Sequence, residues 1–390
     1  MRIFVKTVLA IIIFVLIAPQ GLLASTVDIP KLISTSPNSR VPSLDIVGVN
    51  VFVSYQDLSE IPEIYFAKFS DEGLNFSDPL KISGEVEAKD VSYLSATGNN
   101  VYVIWPGSAT PGEDTDGVYF TKSTDSGNIF SEPVNISGYA PGALNVNLES
   151  SGNFVYIAWA QEDSKIMFSL SNNEGVSFSP PVQLSTSLSV DPTVQSDEPF
   201  IAASGKDVYV AWVEERVMDE EPDRRLFVAH STDFGETFSQ ATIVSNNSEP
   251  DKPSMVINKR GDEIFIVWRE DKLDLQQTRS IDFAKSEDSG LNFSTPVSVA
   301  TGGFDIDDPF LAINNRGDLN FVWRELEDIF FSRSLDEGNT LSTSENISND
   351  VSFSSTPTLR VNNMGRGFVA WSDTDLTTDT NSILFTTVTP

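Results

Sequence analysis

The chain of 390 residues carries 25 Lys and Arg against 56 Asp and Glu, a formal charge of −31, with one His and no Cys. The lack of Cys excludes a disulfide framework, a thiolate nucleophile and cysteine zinc sites, and His230 is the one candidate histidine base. So much negative charge repels phosphate backbones, which argues against nucleic-acid binding. Because 40% of the residues are hydrophobic, the chain can nevertheless bury a large core.

The N-terminus has the pattern of a secretory signal peptide. A short basic region precedes an apolar stretch, Val8 to Ala18, and Ala24 offers a small residue for cleavage. We therefore predict a signal peptide over residues 1–24 and a secreted or extracytoplasmic mature chain without a membrane span. An uncleaved N-terminal membrane anchor is the alternative, because Ile3 to Leu23 could nearly span a thin bilayer.

A pattern of alternating apolar residues that ends in Trp recurs along the rest of the chain. It occupies Val101–Trp105, Val155–Trp159, Val208–Trp212, Ile264–Trp268, Leu319–Trp323 and Gly367–Trp371, and Val49–Tyr55 is a seventh copy that ends in Tyr. Alternation with a period of two predicts a β-strand. Another apolar strand follows each copy, so seven equivalent strand pairs are expected. In a four-stranded blade, the strand that ends in Trp is the second and the strand that follows it is the third.

Six of these pairs run into a turn of the form Ser-x-Asp-x-Gly-x-x-Phe. The third position of this turn is Asp71, Asp125, Asn173, Asp233, Asp288 or Asp336. Asp or Asn accepts backbone N–H groups and Gly takes positive φ, so we predict structural hairpin turns here. Successive positions are 54, 48, 60, 55 and 48 residues apart, which fits a propeller blade of about 50 residues.

The two ends of the chain complete this arrangement. The seventh copy stops after its third strand, Ile383–Val388, while Asp28–Ser34 matches the pattern of a fourth strand. Pairing of that segment with the last blade would close the ring and protect its edges. We therefore predict an all-β, seven-bladed β-propeller of four-stranded blades. It would form a single domain over residues 25–390, with residues 28–34 as the outer strand of the last blade.

The turn motif, best seen in Ser231–Phe238, resembles the Asp-box (BNR) repeat of the Asp-box β-propellers, whose best-known members are sialidases. The resemblance implies a propeller fold with structural Asp boxes at the blade periphery. In sialidases three arginines hold the substrate carboxylate, and a Tyr–Glu pair and an Asp perform the chemistry. Arg40-Val41-Pro42 resembles their Arg-Ile-Pro motif. The last tyrosine here is Tyr209, whereas the family has its nucleophilic Tyr late in the chain, so we expect a non-catalytic relative.

The loops before each first strand and after each second strand share one face of a propeller, around its central channel. On this face we expect the candidate ligand-binding residues Arg40, Asp90, Glu198, Asp251, Asp308, Arg269, Glu270, Arg324 and Glu325. Such side chains can bind a sugar or a peptide, or hold Ca²⁺ through oxygen ligands. The competing interpretation is that Trp-Arg-Glu (268–270 and 323–325) forms ion pairs between blades. The sequence assigns no catalytic residue, no cofactor and no definite metal site.

These patterns predict a non-catalytic, secreted, monomeric propeller that binds an extracellular glycan or protein on its acidic face. One alternative is a sialidase-type glycoside hydrolase that grips a carboxylate with Arg40, Arg269 and Arg324, and another is a structural cell-surface component. The position of the three arginines distinguishes the first two functions. One shared pocket would favour the enzyme, and arginines spread around the ring and paired with acids would favour binding.

Overall fold

The computed structural model describes residues 25–70, 75–138, 140–161, 165–185, 195–218, 221–245, 249–272, 278–303, 305–349 and 351–389. The predicted signal peptide and the turn position Asp71 lie outside these ranges. Within them the chain forms β-strands and connecting segments without a helix, and therefore contains no helix that could cross a membrane.

Seven antiparallel sheets form the blades of a seven-bladed β-propeller, which confirms the predicted fold. The N-terminal segment forms β1 (Thr26–Val27) and β2 (Lys31–Leu32). Blade 1 contains β3 (Ser39–Val47), β4 (Asn50–Asp57), β5 (Glu63–Ser70), β6 (Asn75–Phe76) and β7 (Leu80–Lys81). Blade 2 contains β8 (Glu87–Ala88), β9 (Tyr93–Thr97), β10 (Asn100–Ser108), β11 (Gly117–Ser123) and β12 (Val134–Asn135).

The remaining blades follow in chain order. Blade 3 contains β13 (Leu144–Ser151), β14 (Phe154–Gln161), β15 (Lys165–Ser171) and β16 (Val182–Gln183), and blade 4 contains β17 (Gln195–Ser204), β18 (Asp207–Met218), β19 (Glu221–Ser231) and β20 (Thr242–Ile243). Blade 5 contains β21 (Glu249–Ile257), β22 (Ile264–Asp271), β23 (Arg279–Ser286) and β24 (Val297–Gly302). Blade 6 contains β25 (Ile306–Ile313), β26 (Leu319–Glu325), β27 (Asp328–Ser334) and β28 (Glu345–Asn346), and blade 7 contains β29 (Phe353–Val361), β30 (Gly367–Asp375) and β31 (Thr380–Thr389).

The N-terminal segment closes the ring. β1 pairs with β31 through Thr26 opposite Thr389, and β2 pairs with the same strand through Leu32 opposite Leu384. Ile33 is 5% exposed and belongs to the core cluster between blades 7 and 1. Closure therefore adds apolar burial to main-chain pairing.

The second strand of each blade carries its terminal aromatic residue into the core between blades. The six tryptophans and Tyr55 are at most 1% exposed. Trp212 of blade 4, for example, shares a cluster with Tyr156 and Phe168 of blade 3. The tryptophans therefore hold neighbouring blades together and are not available to stack on a ligand.

The turns that follow the third strands of blades 2 to 6 share one hydrogen-bond pattern. In blade 4, Ser231 Oγ donates to Asp233 Oδ1 at 2.7 Å, and Thr237 N and Oγ1 donate to the two carboxylate oxygens at 2.9 and 2.6 Å. The same serine contact recurs at Asp125, Asn173, Asp288 and Asp336. Gly127 has a φ of +77°, and a Cβ there would collide with the Phe66 ring of the preceding blade, which explains the Gly of the motif.

Candidate functional site

The predicted candidate residues share one end of the blades because the first and second strands are antiparallel. Asp251 of β21 lies opposite Arg269 of β22, and Arg40 of β3 lies opposite Gln56 of β4. The start of each first strand and the end of each second strand therefore meet at one face, named here the upper face. The Asp233-type turns follow the third strands and lie at the opposite end of the blades.

Most first strands are bulged where they enter the central channel. Glu198, Lys252 and Asp308 each precede a proline and have positive φ values of 54°, 50° and 51°, next to a shift in strand register. Together with three residues of the same conformation they form the mouth ring, which consists of Val41, Asn145, Glu198, Lys252, Asp308 and Thr356. This conformation costs a non-glycine residue about 1–2 kcal/mol, and such strain concentrates at functional sites.

An aspartate directly before the ring position caps this strained backbone. Asp197 Oδ1 accepts the Glu198 N–H at 2.8 Å, and Asp307 Oδ1 accepts the Asp308 N–H at 2.8 Å. Asp90 makes the same bond to the next N–H in blade 2, which lacks the proline. The predicted site residue Asp90 therefore has a local backbone role.

The channel behind the mouth ring is a cavity of about 260 Å³. Further along the first strands, blades 2, 4 and 6 contribute Tyr93, Phe200 and Phe310, which are named here the aromatic layer. The rings of Phe200 and Phe310 meet edge to face with their centroids 5.9 Å apart. The blades between them contribute the smaller Ser43, Asn147, Ser254 and Thr358. Large and small side chains thus alternate around the channel beneath the mouth ring, and the cavity extends past them to Glu149 and Arg360.

Charged side chains of blades 4 to 6 form a network at the upper face, with Asp307 at its centre. Its carboxylate lies 3.1 Å from Arg269, 3.2 Å from Arg324 and 3.2 Å from Lys252. Burial would raise the pKa of Asp307, but the charges of Lys252 and Arg269 outweigh it and lower the pKa to about 2. Asp307 is therefore ionised at every physiological pH.

Two further carboxylates extend this network. Asp251 bonds both Arg269 and Arg224, the latter at 2.5 Å. Asp308 Oδ1 accepts a hydrogen bond from Lys252 Nζ at 2.6 Å. Each of the cations Arg224, Lys252, Arg269 and Arg324 thus already has a carboxylate partner within the protein.

Glu198 is a mouth-ring residue whose carboxyl group has a raised pKa. Burial raises the pKa of Glu198 to about 8, and the neighbouring Asp251 carboxylate adds to the rise. Its Oε2 accepts the Lys252 N–H at 2.5 Å and lies 3.8 Å from Arg224. At pH 7 Glu198 is therefore mainly a neutral carboxylic acid, which can donate a hydrogen bond as well as accept one.

Tyr93 supplies a hydroxyl group to the same cavity. Burial raises the pKa of Tyr93 to about 12, and the charges of Asp90 and Glu198 contribute to the rise. Its hydroxyl therefore stays protonated and can donate. The candidates predicted from the sequence did not include Tyr93, because they were taken from the loops that flank the strands, and Tyr93 lies within β9. In each blade an apolar core residue follows the cavity residue. Leu94 is this residue in blade 2, and its position in the repeat would have identified Tyr93.

Two predicted candidates face away from the channel. Glu270 accepts the indole N–H of Trp268 at 2.8 Å, and Glu325 accepts that of Trp323 at 3.2 Å. Side chains alternate along a strand, so the residue after each Trp faces the mouth and the next one faces the blade interface. Of the two arginines, Arg269 forms an ion pair with Asp307 of the next blade, whereas Arg324 pairs with Asp307 and Asp308 of its own blade.

The three predicted arginines do not share a pocket. Arg40 of blade 1 donates to Gln56 at 3.0 Å. Arg269 of blade 5 and Arg324 of blade 6 share Asp307. Blade 6 lies two blades from blade 1 around the ring. Arg269 and Arg324 are thus paired with one acid, and Arg40 lies apart from them beside an amide.

His230 has a structural environment in blade 4. Its ring stacks on Tyr209 with centroids 4.0 Å apart, and its Nε2 lies 3.3 Å from Asp207. Burial lowers the pKa of His230, against the attraction of Asp207.

In the described ranges, no group of three or more His, Asp or Glu side chains is arranged to hold a metal ion, and Ca²⁺ stays a prediction from the sequence.

The opposite end of the channel carries a second polar group, two members of which, Glu149 and Arg360, line the same cavity as the mouth ring. Arg360 Nε of blade 7 lies 3.1 Å from Asp45 Oδ1 of blade 1, and Ala96 N of blade 2 donates to Asp45 Oδ2 at 2.7 Å. Burial raises the pKa of Glu149 in blade 3 to about 7, and the charge of Asp45 adds to the rise. This group spans the seam where the ring closes.

No model of a known protein family matches the chain, and no curated protein matches it. Solved β-propeller structures do match. The polysaccharide lyase Uly1 is 8% identical with a TM-score of 0.61, over 92% of this chain and 90% of that chain. The α-L-arabinofuranosidase Arb93A from Fusarium graminearum is 11% identical with a TM-score of 0.55, over 94% and 98%. The α-L-arabinanase from Penicillium chrysogenum is 13% identical with a TM-score of 0.54, over 84% and 100%. At these identities the similarity shows that the chain shares the β-propeller fold of the three proteins.

Proposed function

We propose that the chain is a non-catalytic, glycan-binding β-propeller that takes a sugar in the cavity of its upper face. The observation that carries this proposal is the aromatic layer, Tyr93, Phe200 and Phe310, directly beneath the polar mouth ring. A sugar ring has apolar C–H faces and hydroxyl groups at its edge. Aromatic side chains below and hydrogen-bonding groups around the cavity match both features.

The size of the cavity supports recognition of one sugar unit. Its volume of about 260 Å³ lies just below the range of about 300–1,000 Å³ that is typical of small-molecule pockets. We propose that the cavity takes the end of a glycan.

The occupied arginines support binding over hydrolysis of a sialic acid. A carboxylate clamp needs guanidinium groups that are free to make paired hydrogen bonds, and Arg269 and Arg324 already bond Asp307. The names of the three similar structures, a polysaccharide lyase, an arabinofuranosidase and an arabinanase, support carbohydrate as the ligand class. Since shared fold does not transfer activity, the cavity carries the argument.

A glycan array probed with the mature protein tests the proposal, followed by calorimetry on any glycan that binds. Phe200→Ala removes part of the aromatic layer and should weaken binding about tenfold or more, a loss typical of a central contact. Phe234→Ala is the matched control, because Phe234 is an exposed aromatic on a turn at the other end of the blade. It should leave binding unchanged.

Two outcomes would overturn this function. Absence of binding to any glycan, or equal losses in both variants, would leave the cavity without its proposed role. Release of free sugar from a glycoside panel, abolished by Phe200→Ala and not by Phe234→Ala, would replace the binding module by a hydrolase.

We also propose that the protein is exported and monomeric. The basic and apolar pattern over residues 1–24 supports export. Intact-mass analysis after expression in the native host should show a chain that begins near residue 25, whereas a full-length chain in the membrane fraction would indicate the anchor. Light scattering should give the mass of one chain.

A further inference from the structure

We infer that the cavity selects an uncharged sugar and rejects the same sugar carrying a carboxylate. This inference rests on the glycan-binding function proposed above and names the ligand class of that site. It is carried by the distances between the charged groups around the mouth ring.

Two cations line the cavity, Lys252 and Arg360, and each has a carboxylate partner. Arg360 Nε lies 3.1 Å from Asp45 Oδ1. Lys252 Nζ lies 2.6 Å from Asp308 and 3.2 Å from Asp307. A ligand carboxylate that approached Lys252 would have to displace Asp308 or lie beside it. The first choice leaves Asp308 unpaired in a partly dehydrated site, and the second places two like charges together.

The arginines behind the mouth ring are no more available. Arg324 lies 3.2 Å from Asp307 and 3.6 Å from Asp308, and its side chain is 12% exposed. Arg269, equally buried, is held by Asp251 and Asp307. A guanidinium group binds a carboxylate best through two parallel hydrogen bonds. The terminal nitrogens of both groups already donate within the protein, and Arg269 Nε, which makes no hydrogen bond, is buried.

The other polar groups that line the cavity are largely uncharged at neutral pH. They include the hydroxyl of Tyr93, the amide of Asn147 and the hydroxyl of Thr356. Within the protein, Asn147 Oδ1 accepts the Ile201 N–H at 2.9 Å and Thr356 Oγ1 lies 2.9 Å from Ser372 Oγ. Glu198 also lines it, and its raised pKa makes it a neutral carboxyl group at pH 7. These groups hydrogen-bond sugar hydroxyls without requiring a counter-charge.

The test compares matched ligands on one array, each hexose in its neutral form and in its 6-carboxylate form. The neutral form should bind about tenfold more tightly than the carboxylate form, because the carboxylate loses hydration and meets like charges in the site. Binding of the neutral form should also change little between about 50 mM and about 500 mM NaCl, because no ion pair forms.

Asp308→Asn should shift this preference, because it leaves Lys252 without its nearest carboxylate. Binding of the carboxylate form should rise about fivefold or more relative to the neutral form. Glu287→Gln makes the same charge change at an exposed turn position and should leave the ratio unchanged. If Asp308→Asn does not fold, the salt dependence of sugar binding by the wild-type protein still tests whether the cavity prefers the neutral form.

The results separate this inference from the proposed function. Tight binding of carboxylate sugars by the wild-type protein, weakened by salt, would overturn the selectivity and leave glycan binding intact. An unchanged ratio in folded Asp308→Asn would do the same. Failure of every sugar form to bind would overturn the proposed function itself.

Discussion

Arg269 of blade 5 donates to Asp307 of blade 6 with its Nη1 3.1 Å from Oδ1, and the two side chains are 12% and 11% exposed. The same carboxylate also lies 3.2 Å from Arg324 and 3.2 Å from Lys252. One buried anion thus holds three cations from two blades. The upper face is organised around this contact, and its loss would leave several buried positive charges poorly compensated.

Asp307→Asn should therefore destabilise the protein by about 3–5 kcal/mol at pH 7, the range for breaking a buried ion pair. Urea unfolding measures this change. The lowered pKa of Asp307, about 2, sets the pH dependence. Its contribution is present above the unfolded value of about 3.9 and is lost as pH falls through about 2. The difference between variant and wild type should shrink over that interval.

The control for this prediction is the exposed pair Lys285–Glu287, 2.8 Å apart, in which Glu287 is 65% exposed. Glu287→Gln should change the stability by less than about 1 kcal/mol, as surface ion pairs usually do. Equal losses in the two variants would mean that burial of Asp307 adds nothing to its interactions.

Glu149→Gln should change how the stability depends on pH. The pKa of Glu149 is raised from about 4.5 to about 7 by burial and by Asp45, so the folded protein binds this proton more tightly than the unfolded chain. The resulting stabilisation is complete below about pH 4.5 and is lost as pH rises through about 7. The variant carries no ionisable group there. Relative to wild type, it should gain stability on going from pH 5 to pH 8, on the order of 1–3 kcal/mol.

Thermal unfolding across pH 4 to 9 checks this prediction. Glu236→Gln removes the same charge at an exposed position on the blade 4 turn and should shift the whole profile without changing its slope. A profile for Glu149→Gln that runs parallel to wild type would show that Glu149 titrates normally.

The blades could be predicted from the sequence because the apolar alternation within each strand shows which of its side chains are buried. Alternation around residues such as Val210 and Trp212 is visible without any neighbour, and the match of residues 28–34 to a fourth strand predicted the closure of the ring. The turn at Asp233 was equally readable, because its partners Ser231 and Thr237 lie within four residues. Interactions between residues that are close in the sequence can be predicted from a short segment alone.

The composition of the cavity was less predictable because it depends on bulges and on contacts between blades. The residue before a proline usually avoids compact backbone conformations, yet Lys252 and Asp308 adopt positive φ there, which redirects their side chains. Phe200 meets Phe310 two blades away, a contact with no signal in either strand. The prediction also grouped Glu270 with Arg269, although adjacent side chains of a strand face opposite ways.

Asp233→Ala should lower the melting temperature by a few degrees, because the turn loses the acceptor of Ser231 Oγ and of both Thr237 donors. Hydrogen bonds from Thr237 lower the pKa of Asp233 to about 2, so the difference from wild type should fade as pH drops from about 4 towards 2. Differential scanning calorimetry measures both effects.

Asp233→Asn distinguishes the role of the acceptor from that of the charge. Asn173 serves the blade 3 turn, where its Oδ1 accepts from Ser171 Oγ at 2.8 Å and from Ser177 N at 3.0 Å. An amide oxygen therefore suffices for these bonds, and Asp233→Asn should be clearly less damaging than Asp233→Ala. Equal damage from both substitutions would show that the turn requires the negative charge.

Ile33→Ala tests how much the N-terminal segment contributes to the closed ring. Ile33 is buried between blades 7 and 1, and its N–H donates to Ile383 O at 2.8 Å. Removal of its side chain should cost about 2–5 kcal/mol, the range for buried Ile or Leu to Ala. Ile29, four residues earlier, is 86% exposed, so Ile29→Ala should stay within about 0.5 kcal/mol. If urea unfolding gives both variants the same stability, the segment closes the ring through main-chain pairing with β31, and its apolar contact is dispensable.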